Sequence, residues 1–191
     1  MGNTIPSWAS GLLKDKVDKH FLVLGPQNSG KKTLIYNLGI TWDNSITIPC
    51  IQSITTNSYK NIHFLSGDTD ERILPLFKYY FDTSVALIIV IDSSSDENLG
   101  TVKDFIRNTL QFKEDGIPVL VFANKQDIKQ VPEIDIVNAL ELYSLPIQYP
   151  CLVQPCCAFN KDSLETGLQW IISGADNVHG NKMKSKTTKS A

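Results

Sequence analysis

No stretch of the 191 residues is apolar for long enough to cross a membrane. The longest uninterrupted run, Val85-Ala86-Leu87-Ile88-Ile89-Val90-Ile91, has the length of a buried strand, whereas a spanning helix takes about 20 residues. Residues 1–20 contain no apolar core of a secretory signal, which predicts a cytoplasmic chain. An excess of either charge is missing too. The formal net charge is −2, and a protein that wraps nucleic acid would be strongly basic, so nucleic acid is not an expected partner. The four cysteines, Cys50, Cys151, Cys156 and Cys157, show neither metal-ligand nor disulfide-framework spacing. Buried reduced thiols are the expectation. What remains is an ordinary globular composition, 42% hydrophobic and 20% charged, in a length that suits one domain.

Strand-like and helix-like stretches alternate along the chain. His20–Leu24 reads as a short strand running into a glycine-rich loop, with a helix over 30–39. Residues 59–65 alternate as an amphipathic or edge-proximal strand does, while 85–91 and 118–123 are continuous apolar runs of strands covered on both faces. Val102, Phe105, Ile106, Thr109 and Leu110 mark a helix over 98–112, and Ile134, Val137, Leu140 and Leu142 mark another. A strand over 149–155 and a helix over 163–173 follow. This order predicts a three-layer α/β domain with a mainly parallel sheet. Ligands in such sheets sit at the carboxyl ends of strands, which here means loops 25–31, 66–72, 92–96, 124–127 and 156–160. The domain is expected to occupy 19–175. Residues 1–18 form an amino-terminal arm in which Ile5, Trp8, Ala9, Leu12 and Leu13 share a helical face, and 176–191 read as a Lys-rich, disordered tail.

Two motifs carry the chemistry. Residues 25–33, Gly25-Pro26-Gln27-Asn28-Ser29-Gly30-Lys31-Lys32-Thr33, follow the phosphate-binding pattern G-x-x-x-x-G-K-[ST] except that Lys32 replaces the hydroxyl residue. Glycines there let backbone N–H groups approach phosphate oxygens, a following helix N-terminus favours anions, and Lys31 supplies a point charge. The second motif, Asn124-Lys125-Gln126-Asp127, lies at the end of the 118–123 run and has the form of the guanine reader in GTP-binding proteins. Its Asp carboxylate can accept from the purine N1–H and exocyclic amine, a donor pair adenine lacks. A site built on such groups discriminates strongly, because the wrong base leaves them unpaired.

At this point the chain resembles the ADP-ribosylation factor (Arf) and Arf-like small GTPases over nearly all of residues 1–174. The likeness is carried by "MGN", "GPQNSGKKT", Ile48-Pro49, "YKNIHF", "PLFKYYF", "VIDSSS", "VLVFANKQD", "CCA" and "GLQWI". It implies a P-loop small-GTPase fold with a six-stranded, mainly parallel sheet, bound GTP or GDP, and loops that respond to the γ-phosphate. By matching position, Gly25, Asn28, Ser29, Gly30, Lys31, Lys32, Thr33 and Asp68 line the phosphates. Asn124, Lys125 and Asp127 hold the guanine, and Cys157 and Ala158 close over it. The departures are equally specific. Lys32 and Cys50 stand where the family places two magnesium-binding hydroxyls, and neither an ammonium nor a thiol suits so hard a cation. Mg2+ is therefore in doubt, with Asp68 as the surviving residue near its place. Gly67-Asp68-Thr69-Asp70-Glu71-Arg72 replaces the family's W-D-x-G-G-Q, so Arg72 occupies the position of the water-orienting glutamine and no catalytic residue is assigned.

The resemblance leaves three functions open: a conventional GTP/GDP-cycling switch in membrane traffic, a nucleotide-stabilised module binding a protein effector or scaffold without turnover, and an interaction protein with an empty site. The intact N-K-x-D and degraded magnesium and switch motifs favour the second. Lys32 itself has two readings, a solvated side chain or a charge near the β-phosphate. Gly2 and Asn3 match the start of an N-myristoylation signal, although Pro6 stands where Ser or Thr belongs. An acyl chain there would add a peripheral membrane contact through the amino terminus.

Overall fold

The computed structural model describes residues 19–40, 42–48, 51–55, 62–69, 80–81, 83–110, 116–146 and 149–188. In chain order the elements are β1 (Lys19–Gly25), α1 (Lys31–Asn37), β2 (Trp42–Ile48), β3 (Ile51–Thr55), β4 (Ile62–Asp68), β5 (Ser84–Asp92), α2 (Leu99–Leu110), β6 (Val119–Asn124), α3 (Glu133–Ala139), a 3-10 turn (Leu142–Ser144), β7 (Cys151–Pro155) and α4 (Lys161–Thr188). One sheet contains all seven strands in the order β2-β3-β4-β1-β5-β6-β7. Five of them, β4, β1, β5, β6 and β7, run parallel to their neighbours, and β2 and β3 extend the sheet antiparallel.

The apolar runs of the sequence are explained by this arrangement. Along β1, Phe21 and Val23 enter a core beneath α1 and α4, with Leu34, Leu164, Leu168 and Ile171. Leu22 and Leu24 point the other way and meet Val102, Phe105 and Ile106 of α2. Both faces are covered, so both parities must be apolar. Burial of these side chains is the main favourable term holding the layers together, at roughly 25 cal/mol per Å² of apolar area removed from water.

Four expectations are corrected. The sheet has seven strands where six were expected. Neither β2 nor β3 reads as a strand from its side chains: Trp42-Asp43-Asn44-Ser45 is largely polar, and what holds the pair is backbone pairing to β4. The strand expected over 59–65 is Ile62–Asp68, which carries it three residues further towards the site. In α3 it is Ile136 that is buried, along with Leu140 after it, whereas Ile134 is 60% exposed. Finally, α4 continues to Thr188 through most of the segment read as a tail. No proline interrupts it.

Register places the functional loops together. Gly25 pairs with Asp68, Asp92 with Asn124 and Ala123 with Pro155, so the ends of β4, β1, β5, β6 and β7 open on one edge of the sheet.

Candidate functional site

The phosphate loop leaves β1 at a position that only glycine can occupy. A Cβ on Gly25 would stand 2.1 Å from the Val90 carbonyl oxygen, a backbone atom that cannot swing away. The chain then reverses through Asn28 (φ 64°) and Gly30 (φ 95°), both in the left-handed region that most side chains avoid. A Cβ on Gly30 would also come within 2.2 Å of Asn124 Nδ2. Helix α1 begins as Leu34 N–H donates to the Gly30 carbonyl at 2.9 Å.

Lys31 is almost fully buried. Its ammonium donates to the carbonyls of Gly25 and Pro26, both at 2.7 Å, which folds it across the loop. Lys32 is exposed and Thr33 half-buried. These two, with Lys31, Gln27, Asn28, Gly30 and Lys125, line one groove of about 480 Å³. Since α1 is only seven residues long, the groove's attraction for anions rests on its lysines and loop amides more than on a helix dipole.

Asn124 joins this loop to the other two. Its Nδ2 donates to the Ser29 carbonyl at 2.8 Å, and its Oδ1 accepts the Ala158 N–H at 2.8 Å. The residue is buried, and so both bonds form in a setting of low dielectric. Asn37 Nδ2 donates to the Ala158 carbonyl at 2.8 Å, tying α1 to the same strand-end loop. Lys125 takes a positive φ of 67° and pairs with Asp92 at 2.6 Å. Burial acts to raise the Asp92 carboxyl, but the Lys125 ammonium and the Ser94 hydroxyl and N–H outweigh it and hold the group below the usual aspartate range. Asp127 is exposed at the rim. With Cys157 it borders a second, open cavity of about 620 Å³ that also touches Pro132, Asn160 and Ser163.

Gln126, the unspecified position of N-K-x-D, was missed by sequence reasoning. Its Nε2 donates to Ser93 Oγ at 3.0 Å and to the carbonyls of Ala123 and Val131 at 3.3 Å. Its Oε1 accepts the Val131 N–H at 2.8 Å. The amide thereby clips the 126–131 turn shut. Asp92 was missed as well, although loop 92–96 had been singled out; an acid at a strand end beside the N-K-x-D lysine was the available signal. Cys156 is buried, and burial pushes its thiol up to about 12, as it does for Cys151. Cys156 is the buried thiol the sequence led one to expect, whereas Cys151 is only half-buried. Cys157 is half-buried and Ala158 buried.

Gly25, Asn28, Ser29, Gly30, Lys31, Lys32, Thr33, Asn124, Lys125, Asp127, Cys157 and Ala158 therefore lie on loops that meet at one sheet edge. Asp68 ends β4 beside Gly25. Gly2, Cys50, Glu71 and Arg72 lie outside the described residues.

These residues fit a nucleotide phosphate. Ser29 Oγ is fully buried without a hydrogen-bond partner among the described residues, and an orphaned buried hydroxyl of this kind calls for a ligand or water. The fit to a magnesium ion is poor. Residue 32 borders the groove, yet an ammonium has three donors and no lone pair to offer a cation. Among the described residues no group of three or more His, Cys, Asp or Glu could hold a metal, and no helix is long and apolar enough to cross a membrane.

Parallel strands ending in a glycine loop, an N-K-x-D turn and a closing Cys-Cys-Ala loop define a P-loop small-GTPase domain. Comparison with known proteins agrees. The Arl6 BBS3 small GTPase from Trypanosoma brucei, with bound nucleotide analogue GppNp, has the same fold, with a TM-score of 0.66 at 24% identity, covering 84% of this chain and 99% of that one. A model of the ADP-ribosylation factor family matches residues 7–175. ADP-ribosylation factor J of Dictyostelium discoideum is 36% identical over 183 residues, which span 92% of this chain and 96% of its own. ADP-ribosylation factor K of the same organism is 34% identical over the same spans. The chain belongs to the ADP-ribosylation factor family.

Proposed function

We propose that this chain binds guanine nucleotide, hydrolyses GTP weakly or not at all, and acts as a nucleotide-stabilised module for a protein partner. The observation that carries the first part is the Asn124 bridge, which locks the phosphate loop, the N-K-x-D turn and the Cys156–Ala158 loop into one frame. In that frame Asp127 would accept from the guanine N1–H and amine, while Lys31 and the amides of residues 28–31 would meet the phosphates. The bound guanine nucleotide analogue of the Trypanosoma brucei relative supports this reading.

Loss of turnover is supported by residues 32 and 72. Lys32 replaces a magnesium-binding hydroxyl, and Arg72 replaces the group that would orient water. Positioning and charge stabilisation of that kind are worth several powers of ten in rate. A peripheral membrane contact through an acylated Gly2 is a separate part of the proposal, checked by intact-mass measurement of protein from its native cell. The nucleotide reading is tested by denaturing purified protein and chromatographing what is released. Stoichiometric guanine nucleotide is expected. None at all would leave an empty interaction protein, and conversion of bound GTP to GDP within a few hours, as an intrinsic rate of about 10⁻⁴–10⁻³ s⁻¹ gives, would restore the conventional switch.

A further inference from the structure

The three successive residues Lys31, Lys32 and Thr33 all border the phosphate groove, so it wraps the start of α1 rather than one flank of it. Three lysines line it, and they are not equivalent. The Lys31 ammonium is held by the carbonyls of Gly25 and Pro26. The Lys125 ammonium is paired with the Asp92 carboxylate. Lys32 is exposed, and among the described residues it makes neither an ion pair nor a hydrogen bond. It is the groove's one uncommitted cation among those residues, on a flexible four-carbon stem that can follow a phosphate.

That charge stands at the residue from which the family would supply a magnesium ligand. A divalent cation drawn into the same space would lose an oxygen ligand and meet a like charge in return. We infer that the groove holds its nucleotide without a divalent cation, and that the Lys32 ammonium is the resident counter-charge for the phosphates. Lys32 is thus a specificity-determining residue, one that makes retention independent of magnesium. The inference rests on the guanine-nucleotide reading above and adds how the phosphates are neutralised. Thr33, which also borders the groove, is the residue most able to contradict it by ligating a cation from one position further along.

The test uses the full chain loaded with a fluorescent guanosine diphosphate analogue. Its release is followed after adding excess unlabelled GDP, in magnesium and in EDTA. The wild-type release rate should be the same in both. Lys32→Gln should release the analogue about tenfold faster or more in both buffers, the scale of one lost charge-assisted contact, while Lys32→Arg should stay close to wild type. Circular dichroism of each variant separates this from misfolding, and the wild-type comparison needs no variant. An EDTA acceleration of about tenfold or more in the wild type, abolished by Thr33→Val, would place a cation in the groove and overturn the inference. So would a Lys32→Gln rate equal to wild type. A chain that retains no analogue in either buffer overturns the nucleotide reading as well, which keeps the two failures distinguishable.

Discussion

The two ends of the ligand-binding edge are built differently. On the base side, the loops after β6 and β7 are cross-bonded almost residue by residue: Asn124 to Ser29 and Ala158, Lys125 to Asp92, Gln126 to Ser93 and Val131, and Gln126 N–H to the Cys156 carbonyl. On the phosphate side the glycines and Lys31 keep their places, but the next residue is an exposed lysine where a metal-binding hydroxyl would serve. On the proposed reading the base side recognises: the buried Asn124 frame is fixed, and the exposed Asp127 would be desolvated when the base covers it. The phosphate side in this family also times hydrolysis, and that requires a cation and an ordered water. On the proposed function one half is kept while the other decays, which is possible because they share a frame and little of their chemistry.

The largest effect should come from removing the base reader. Asp127→Ala should abolish the preference for guanine over adenine nucleotides, a loss on the order of 10⁴-fold. Because Asp127 is exposed, melting temperature without nucleotide should hardly move. Competition binding beside a thermal melt would show both, and a retained preference would break the assignment.

Asn124→Ala should follow. It orphans the Ser29 carbonyl and the Ala158 N–H, both buried partners, at a cost of about 2–4 kcal/mol in urea denaturation. It should also weaken nucleotide binding, because the frame that Asn124 ties together positions the loops around the base and phosphates. Equal stability with weaker binding would instead make it a direct ligand contact.

A smaller effect is expected at Asp92. Its folded value lies below the ordinary 3.8, so the contribution to stability is fully present above that pH and is lost as pH falls through the lowered folded value. Asp92→Asn should therefore lower stability at neutral pH and flatten the loss seen below pH 3.8. Stability measured from pH 7 downward would show the two curves converging in acid; parallel curves would contradict the pairing with Lys125.

The smallest effect is on thiol chemistry. Cys151 and Cys156, with thiols pushed up to about 12, should resist alkylation in the native protein, while Cys157, half-buried on the cavity rim, reacts before either of them and more slowly once nucleotide is bound. Peptide mass mapping after brief iodoacetamide exposure reads the order directly.

Much of this was legible in the residues alone. The central strands β5 and β6 announced themselves because a strand covered on both faces is apolar at every position, as 85–91 and 119–123 are. The glycine loop and N-K-x-D were legible because their chemistry tolerates few substitutes. The strands β2 and β3 were hidden, since backbone pairing along an edge places little demand on side chains. Of the apolar residues that marked the face of α3, Val137, Leu140 and Leu142 do pack inward and only Ile134 was misplaced, because Ile134 and Ile136 are both apolar and only packing distinguishes them. The Gln126 contact to Ser93 was invisible for a related reason: the two become neighbours only once β5 and β6 are paired.

The separation between the two ends of the site is tested most directly by a single-turnover time course. Protein loaded with GTP is held without free nucleotide, sampled over hours, denatured and chromatographed. A site that recognises without timing should return guanine nucleotide in stoichiometric amount with its three phosphates intact. Steady conversion to GDP within the hours sampled, at or above the intrinsic small-GTPase rate of about 10⁻⁴–10⁻³ s⁻¹, would contradict it and would mean that the phosphate side still commands a cation and an oriented water.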